Sequence, residues 1–324
     1  MAIRVIGGGP AGSCAAISAL ACGQPVEVFE KSPFPRHKVC GEFLSPEAAQ
    51  VLESLGVWPS LQARGPALIR TVRLHFGHRL KTWRLDEPAF GISRYLLDDV
   101  LHLHAIGRGA VWIREMGAPE PVPAVIATGR KPSARKGHRL FGFKTHFSGP
   151  ADDVVDLYFF DGCYLGVSAV EGGQINVCGL APESLLHRFA FDLDAFLAAQ
   201  PHAGERIKPF ARTMDWLTTG PLLFSSDLPA ARNGHYYCGD ALGFIDPFTG
   251  SGMLAAMLTG KLAGEAAARG IPASEHLVAC RRVLWAQYRF SALARKAIDM
   301  GVAGMAASLL PGRLLFRLTR PTFV

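Results

Sequence analysis

The chain contains no unbroken run of about 18 apolar residues, so no segment is expected to cross a membrane as a helix. Paired cysteines are also missing. The seven present (Cys14, Cys22, Cys40, Cys163, Cys178, Cys238 and Cys280) are scattered and form no CxxC, which indicates neither a disulfide framework nor zinc. That usage points to a reducing, cytoplasmic setting. At the N-terminus, Gly7 to Gly9 and Pro10 interrupt any hydrophobic stretch, so no signal peptide is expected. No Lys/Arg block or basic repeat of the nucleic-acid type occurs, although a net charge of +7 favours anionic partners in general. A Ser/His/Asp hydrolase elbow, paired catalytic carboxylates and metal-ligand spacing are all lacking, so neither hydrolysis nor a metal site is indicated.

What is present starts with size: 324 residues, 49% of them hydrophobic, can bury a sizeable core in one large or two interleaved domains. Ile3 to Ile6 reads as a short strand running directly into Gly7-x-Gly9-Pro10-Ala11-Gly12. Ala11 to Cys22 reads as a helix of small and apolar residues closed by Gly23, and a second strand, Val26 to Phe29, ends on Glu30. Glycines at this spacing tighten the turn and let backbone approach a pyrophosphate. The helix N-terminus adds N–H groups and a positive dipole end. Glu30 stands where a carboxylate accepts from an adenosine ribose. A glycine motif alone is weak; set between a strand and a helix, with an acid ending the next strand, it points to dinucleotide binding rather than a structural turn.

Two later segments add to this. Val125 to Arg130 reads as a strand and turn, Ala127-Thr128-Gly129-Arg130. His235 to Met253 reads as a strand ending on Gly239, then Asp240 placed to accept from polyol hydroxyls, then Pro247 to Gly252 leading into a helix near Met253. Between the N-terminal segments and these, Lys31 to Glu42 is a loop, because Pro33 and Pro35 rule out regular structure.

In this order the segments resemble the superfamily of FAD-dependent aromatic hydroxylases, flavin halogenases and geranylgeranyl reductases. The stretch FPRHKVCGEFLSPEA from Phe34, with Lys-x-Cys-Gly at Lys38 to Gly41, is most similar to the geranylgeranyl-reductase-like branch, as is Ala127 to Arg130. The resemblance implies non-covalent FAD held by Gly7, Gly9, Pro10, Ala11, Gly12, Glu30, Lys31, Arg36, Cys40, Gly41, Arg94, Thr128, Gly129, Gly239, Asp240, Pro247, Gly250, Ser251, Gly252 and Met253. Cys40, Gly41, Pro247 and Gly250 would face the isoalloxazine ring, whose reduced anion the helix at Met253 would stabilise. Arg94, in a Ser-Arg-x-x-Leu-Asp pattern, has a second reading as the partner of Asp98 four residues on, and Ser93 is the expected helix cap.

The chain departs from this family in three places. The antiparallel hairpin usual before Ala124 is reduced to Met116 to Pro123, too short and too proline-rich for two strands, which implies a more exposed or more weakly bound cofactor. Thr128 replaces the hydroxylases' Asp, so their nicotinamide contact does not carry over. No Trp-x-Trp pair occurs near the sheet, so halogenation is not expected.

Residues 139–181 are rich in strand formers separated by turns at Ser148 to Pro150, Asp161-Gly162 and Glu171 to Gly173. They are expected to form an antiparallel sheet walling the substrate cavity. Phe143, His146, Tyr158, Phe160, Tyr164 and Val167 are expected on its cofactor side, with core packing as the alternative for each aromatic. From Pro272 the tail reads as basic and helical, either an amphipathic helix on the sheet domain or a lipophilic entrance touching a membrane or a carrier-bound substrate.

The expected fold is α/β: a Rossmann-like FAD-binding domain (1–60, 94–138, 230–270) interleaved with a sheet domain for substrate (61–93, 139–229), and a helical region over 271–324. Since such cofactors carry the chemistry, the resemblance implies one of two reactions on a hydrophobic polyketide, aromatic or isoprenoid substrate. NAD(P)H-driven monooxygenation through a flavin C4a-hydroperoxide is slightly favoured, because the reductases' usual aromatic motif near Tyr164 to Val170 is missing. Reduction of a C=C bond by hydride from flavin N5 is the alternative, and a non-catalytic FAD- or lipid-binding module is a third reading.

Overall fold

The computed structural model describes residues 1–118, 123–130, 139–222, 234–244 and 246–321. Along the chain, β1 (Ile3–Ile6), α1 (Pro10–Ala21) and β2 (Val26–Phe29) lead to β3 (Phe43–Leu44), α2 (Pro46–Ser54) and α3 (Trp58–Gln62). A long hairpin, β4 (Ala67–Phe76) and β5 (Arg79–Gly91), precedes α4 (Arg94–Gly107), β6 (Val111–Ile113) and β7 (Val125–Ile126). Then come β8 (Leu140–Ser148), β9 (Val154–Phe160), β10 (Cys163–Ala169) and β11 (Gln174–Pro182). Short helices α5 (Glu183–His187), α6 (Leu193–Ala198) and α7 (Pro201–Ile207) and strands β12 (Ala211–Arg212), β13 (Leu217–Leu222) and β14 (Tyr236–Tyr237) follow. The chain ends in α8 (Gly252–Arg269), α9 (Ala273–Asp299), α10 (Ala303–Leu309) and α11 (Gly312–Leu318).

Two sheets result. β14-β7-β1-β2-β6 form a five-stranded sheet, parallel throughout. Its core joins α1, α4 and α8 around Val5, Ala15, Val28, Leu97 and Met257. α1 and α8 approach closely because a Cβ on Gly260 or Gly264 would stand 2.1 Å from the carbonyl oxygen of Ala11 or Ala15. The loop after β6, where a hairpin would otherwise stand, lays Gly117 directly on Ile6 and Phe29; residues 119–122 of that segment lie outside the described residues.

The second sheet runs β12-β8-β11-β10-β9-β4-β5-β3, with β13 also paired to β8. It is antiparallel at every junction but one: β4 and β9 are parallel, so the sheet is mixed. A parallel neighbour needs a long crossover, and here the chain passes through the first sheet between β5 and β8. Strand β3 joins this sheet through β5 although it lies within the segment 1–60.

Period-two alternation corrects the expected face assignment. Phe143, Tyr158, Phe160 and Val167 point the other way, into a cluster covered by α5–α7 with Leu186, Phe196 and Ile207. Phe143 packs edge-on to Phe196 and Trp216, and Tyr158 stacks on His75. Of the expected set, His146 and Tyr164 lie on the opposite face. Side chains of one strand alternate sides, so Phe143 and His146, an odd number of residues apart, cannot share a face. The same holds for Val167 and Tyr164. The tail packs partly as an amphipathic helix, with Leu277, Val283 and Leu284 of α9 against α8, and partly as a cover. Lys81 Nζ donates to the Ala307 and Leu310 carbonyls at 2.9 and 2.5 Å, which fastens α10 to β5.

Candidate active site

The three sequence segments meet because β1, β2, β7 and β14 are neighbours in a parallel sheet and all end on one edge. Such an edge is where open α/β sheets bind ligands. Gly7 takes φ +102°, and a Cβ there would stand 2.3 Å from the Ala127 oxygen; at Gly12 it would stand 1.8 Å from the Gly7 oxygen. These two glycines pack backbone on backbone. At Gly41, Gly129 and Gly252 a Cβ would meet nothing within 4 Å, and at Gly9 only the Arg94 guanidinium at 4.0 Å. Backbone at Gly9, Gly41, Gly129 and Gly252 is therefore free of close side-chain cover, as a ligand approaching main-chain N–H groups requires.

Glu30, ending β2, is buried and accepts from the N–H groups of Gly8 at 3.0 Å and Ser32 at 2.9 Å and from Arg36 Nη1 at 2.9 Å. Burial acts to raise its pKa, but these bonds and the guanidinium charge outweigh it and hold the carboxyl at about 2. Lys31 is exposed beside it. Arg94 is the partner of Asp98, which its Nε and Nη2 grip at 2.6 and 2.7 Å, and its guanidinium borders Gly9. Ser93 caps α4 by accepting from Leu96 N–H at 3.1 Å. Thr128 and Asp240 stand at the strand ends; Asp240 makes no hydrogen bond among the described residues, and loss of water around its carboxyl pushes the pKa up by more than the Arg94 and Arg130 charges draw it down.

Gly239, at φ +57°, would carry a Cβ 2.9 Å from that of Ala11, which closes the sheet edge onto α1. Asp246 caps the turn Pro247–Thr249 through Phe248 N–H at 3.3 Å and pairs with Arg295 of α9 at 2.5 Å. Pro10 and Met253 are buried, Met253 in the core, so its helix turns backbone rather than side chain to the open edge. Ser251 bonds Thr249 at 2.7 Å and Gln287.

Cys40 and Gly41 lie where both halves meet. Asn176 Nδ2 donates to the Cys40 carbonyl at 3.2 Å, which ties the loop to the mixed sheet, and burial raises the thiol's pKa. Gly41, Pro247 and Gly250 border a cavity of about 300 Å³ between the mixed sheet and the tail. Its walls are Leu74, Leu157, Phe159 and Tyr164 from the sheet and Ile298, Leu315 and Phe316 from the helices. Cys178 and Ser168 add the few polar groups on the sheet side.

A buried charged cluster beside this loop escaped the sequence reading. Glu42, at φ +54° and 0% exposed, bonds Lys144 Nζ, His146 Nε2 at 2.6 Å and the Arg94 N–H at 2.6 Å. Burial pushes its carboxyl up, yet the His146 bond and the Lys144 charge bring it below the usual range. His37 packs edge-on to His146 at 5.3 Å, and burial with the Lys144 charge lowers its pKa. Among the described residues His37, Glu42 and His146 alone bring three ligand-type atoms within 4.8 Å, but Lys144, 0% exposed, already sits on that carboxylate. The cluster joins residues 102 and 104 positions apart, so no spacing rule exposes it. Of its members only His146 was singled out in the sequence, as a residue expected on the cofactor side of the sheet.

No protein-family model matches the chain. In sequence it is similar to menaquinone reductase of Mycolicibacterium smegmatis, 45% identical over an alignment of 119 residues that takes in 33% of this chain and 27% of that protein. It is also similar to menaquinone reductase of Mycobacterium tuberculosis, 46% identical over 55 residues, 17% of this chain and 14% of that protein. The matched stretches thus span only about a quarter or less of those relatives. In structure it is similar to the flavin-dependent brominase Bmp2, at a TM-score of 0.80 and 19% identity over 98% of this chain and 92% of that one. PqsL of P. aeruginosa, solved with 2-aminobenzoylacetate, gives 0.78 and 14% over 95% and 99%. A geranylgeranyl bacteriochlorophyll reductase-like protein from Thermoplasma acidophilum gives 0.70 and 20% over 98% and 91%. The chain has the fold of these three proteins.

Proposed function

We propose that the protein is an FAD-dependent oxidoreductase that reduces a carbon–carbon double bond of an apolar, isoprenoid- or polyketide-derived substrate, with NAD(P)H as the source of electrons. The observation that carries the reading is the junction at Gly41, Pro247 and Gly250, where the loop after β2 and the turn before α8 together border the apolar cavity. Bound FAD would supply two-electron chemistry at that junction. Gly7 to Gly12, Gly129 and Gly239 would offer backbone to the dinucleotide, Glu30 would face its ribose, and the start of α8 would turn N–H groups to the ring. The cavity walls exclude water and hold the substrate against the junction.

The local likeness to two menaquinone reductases favours reduction over the monooxygenation that the sequence narrowly favoured. Oxygenation keeps a basis of its own in the missing aromatic motif near Tyr164 to Val170. The two separate in one experiment. FAD-loaded protein is reduced anaerobically with NADPH or dithionite and given a prenylated naphthoquinone, with an unsaturated isoprenoid acid in parallel. Product that still carries two added hydrogens on its prenyl chain after the quinone ring is reoxidised in air, and no added oxygen, supports reduction. Product that forms only after labelled oxygen is admitted, and carries the label, overturns it for oxygenation. FAD-loaded protein whose flavin NAD(P)H does not reduce, and that turns over neither substrate, favours the binding-module reading.

A further inference from the structure

Arg320 is the only charged residue among the described residues lining the cavity. It is 8% exposed. Its Nη1 donates to the Gly250 carbonyl at 2.9 Å, and its guanidinium lies over the rings of Phe316 and Phe43, at 4.0 and 5.6 Å from their centroids. Its Nε is buried and has no hydrogen-bond partner, and the same is true of the indole Nε1 of Trp83, which also lines the cavity. No carboxylate among the described residues comes within ion-pair distance of Arg320. Glu47 is the opposing charge that acts on it, more weakly than burial, which draws the guanidinium down to about 10.

A buried cation without a counter-ion, and buried donors without acceptors, are both unfavourable. A guanidinium has five N–H groups in a fixed fork, and one already spent on Gly250 leaves the Nε edge for another oxygen. Neutral wall groups such as Tyr164 and Ser168 cannot balance the charge. What would satisfy the site is a ligand that is apolar over most of its length and carries one negatively charged oxygen group.

We propose that Arg320 anchors the oxyanion head, a carboxylate in the simplest case, of an otherwise apolar ligand, whose body lies along Leu74, Leu157 and Phe159. This narrows the substrate from an apolar molecule to an apolar acid. It rests on the proposed function only in taking this cavity as the substrate site. Because Arg320 borders Gly250, the head sits close to the junction and the apolar body reaches away from it.

The test reads binding in oxidised, FAD-loaded protein, without turnover, so it can fail while the reductase reading stands, and the reverse. Dodecanoate, methyl dodecanoate and dodecanol are titrated, followed by tryptophan fluorescence and by calorimetry. The expected result is dodecanoate bound about ten- to a hundredfold more tightly than its ester, the scale of a charge-assisted hydrogen bond. Arg320→Met should bring acid and ester to within about threefold while leaving the ester's affinity in place, and Arg320→Lys should keep part of the preference. A role confined to holding α11 would shift all three ligands together. Equal binding of acid and ester by the unmodified protein overturns the proposal whether or not any variant folds. An acid preference that survives Arg320→Met overturns it too.

Discussion

Glu42→Gln removes one charge from a place where the structure leaves no substitute for it. The Glu42 carboxylate and the Lys144 ammonium are each 0% exposed and bonded to one another, and His146 is 2.6 Å from the second oxygen. Glutamine preserves shape and one acceptor, so loss of a hydrogen bond alone would cost about 1 kcal/mol. An ammonium left buried without its counter-ion costs about 3–5 kcal/mol, so the charge decides. In urea unfolding at neutral pH the midpoint should fall by the equivalent of about 3–5 kcal/mol with the slope unchanged. Adding Lys144→Met should recover most of that loss, since it removes the orphaned cation. The pH dependence has a definite sign. The Glu42 carboxyl is lowered in the folded state, so its stabilisation is fully present above the unfolded value of about 4.3 and is lost as pH falls through the folded one. The Glu42→Gln penalty should therefore shrink below about pH 4. A penalty under about 1 kcal/mol at neutral pH, or one that Lys144→Met deepens, would refute the reasoning.

Three other outcomes are expected. Gly264→Ala should destabilise the protein by about 1–3 kcal/mol, because the new methyl meets the Ala15 carbonyl oxygen at 2.1 Å; Gly252→Ala, whose methyl enters open space, should leave the melting temperature of FAD-free protein unchanged and weaken FAD binding in a fluorescence titration. Glu30, held at about 2, contributes about 3 kcal/mol that is present above pH 4.5 and lost towards pH 2; Arg36→Met should move that loss to higher pH in the stability profile, and an unmoved profile would exclude Arg36 as a cause. Phe143→Ala should cost about 3–5 kcal/mol in unfolding yet leave dodecanoate affinity unchanged, since the ring packs on Phe196 away from the cavity.

Much of the nucleotide half was legible from residue order alone. Strand, glycine turn, helix and terminal acid are local features, each set by short-range sterics and hydrogen bonding, and Ile3–Ile6, Pro10–Ala21, Val26–Phe29 and the Ser93 cap stand within a residue or two of their expected places. Strand content after residue 139 was legible for the same reason. Which side of each strand faces the cavity was not. Phe143 and His146 were grouped by chemical type, whereas the register of β8 against β11 separates them onto opposite faces. The parallel junction of β4 and β9 was equally hidden, since pairing between strands so far apart depends on the path through the other sheet.

Local sequence thus determined that a dinucleotide-type turn forms, where α1 and α4 begin, and that the seven cysteines form no motif. Tertiary structure alone decided that Glu42, Lys144 and His146 share one buried site, that Arg320 ends inside an apolar cavity, and that Gly41 meets Pro247 and Gly250 there. The reason is physical. A turn or a cap is settled by bonds between residues a few positions apart, but the charge environment of a side chain depends on what burial brings beside it, and burial is a property of the whole packed chain.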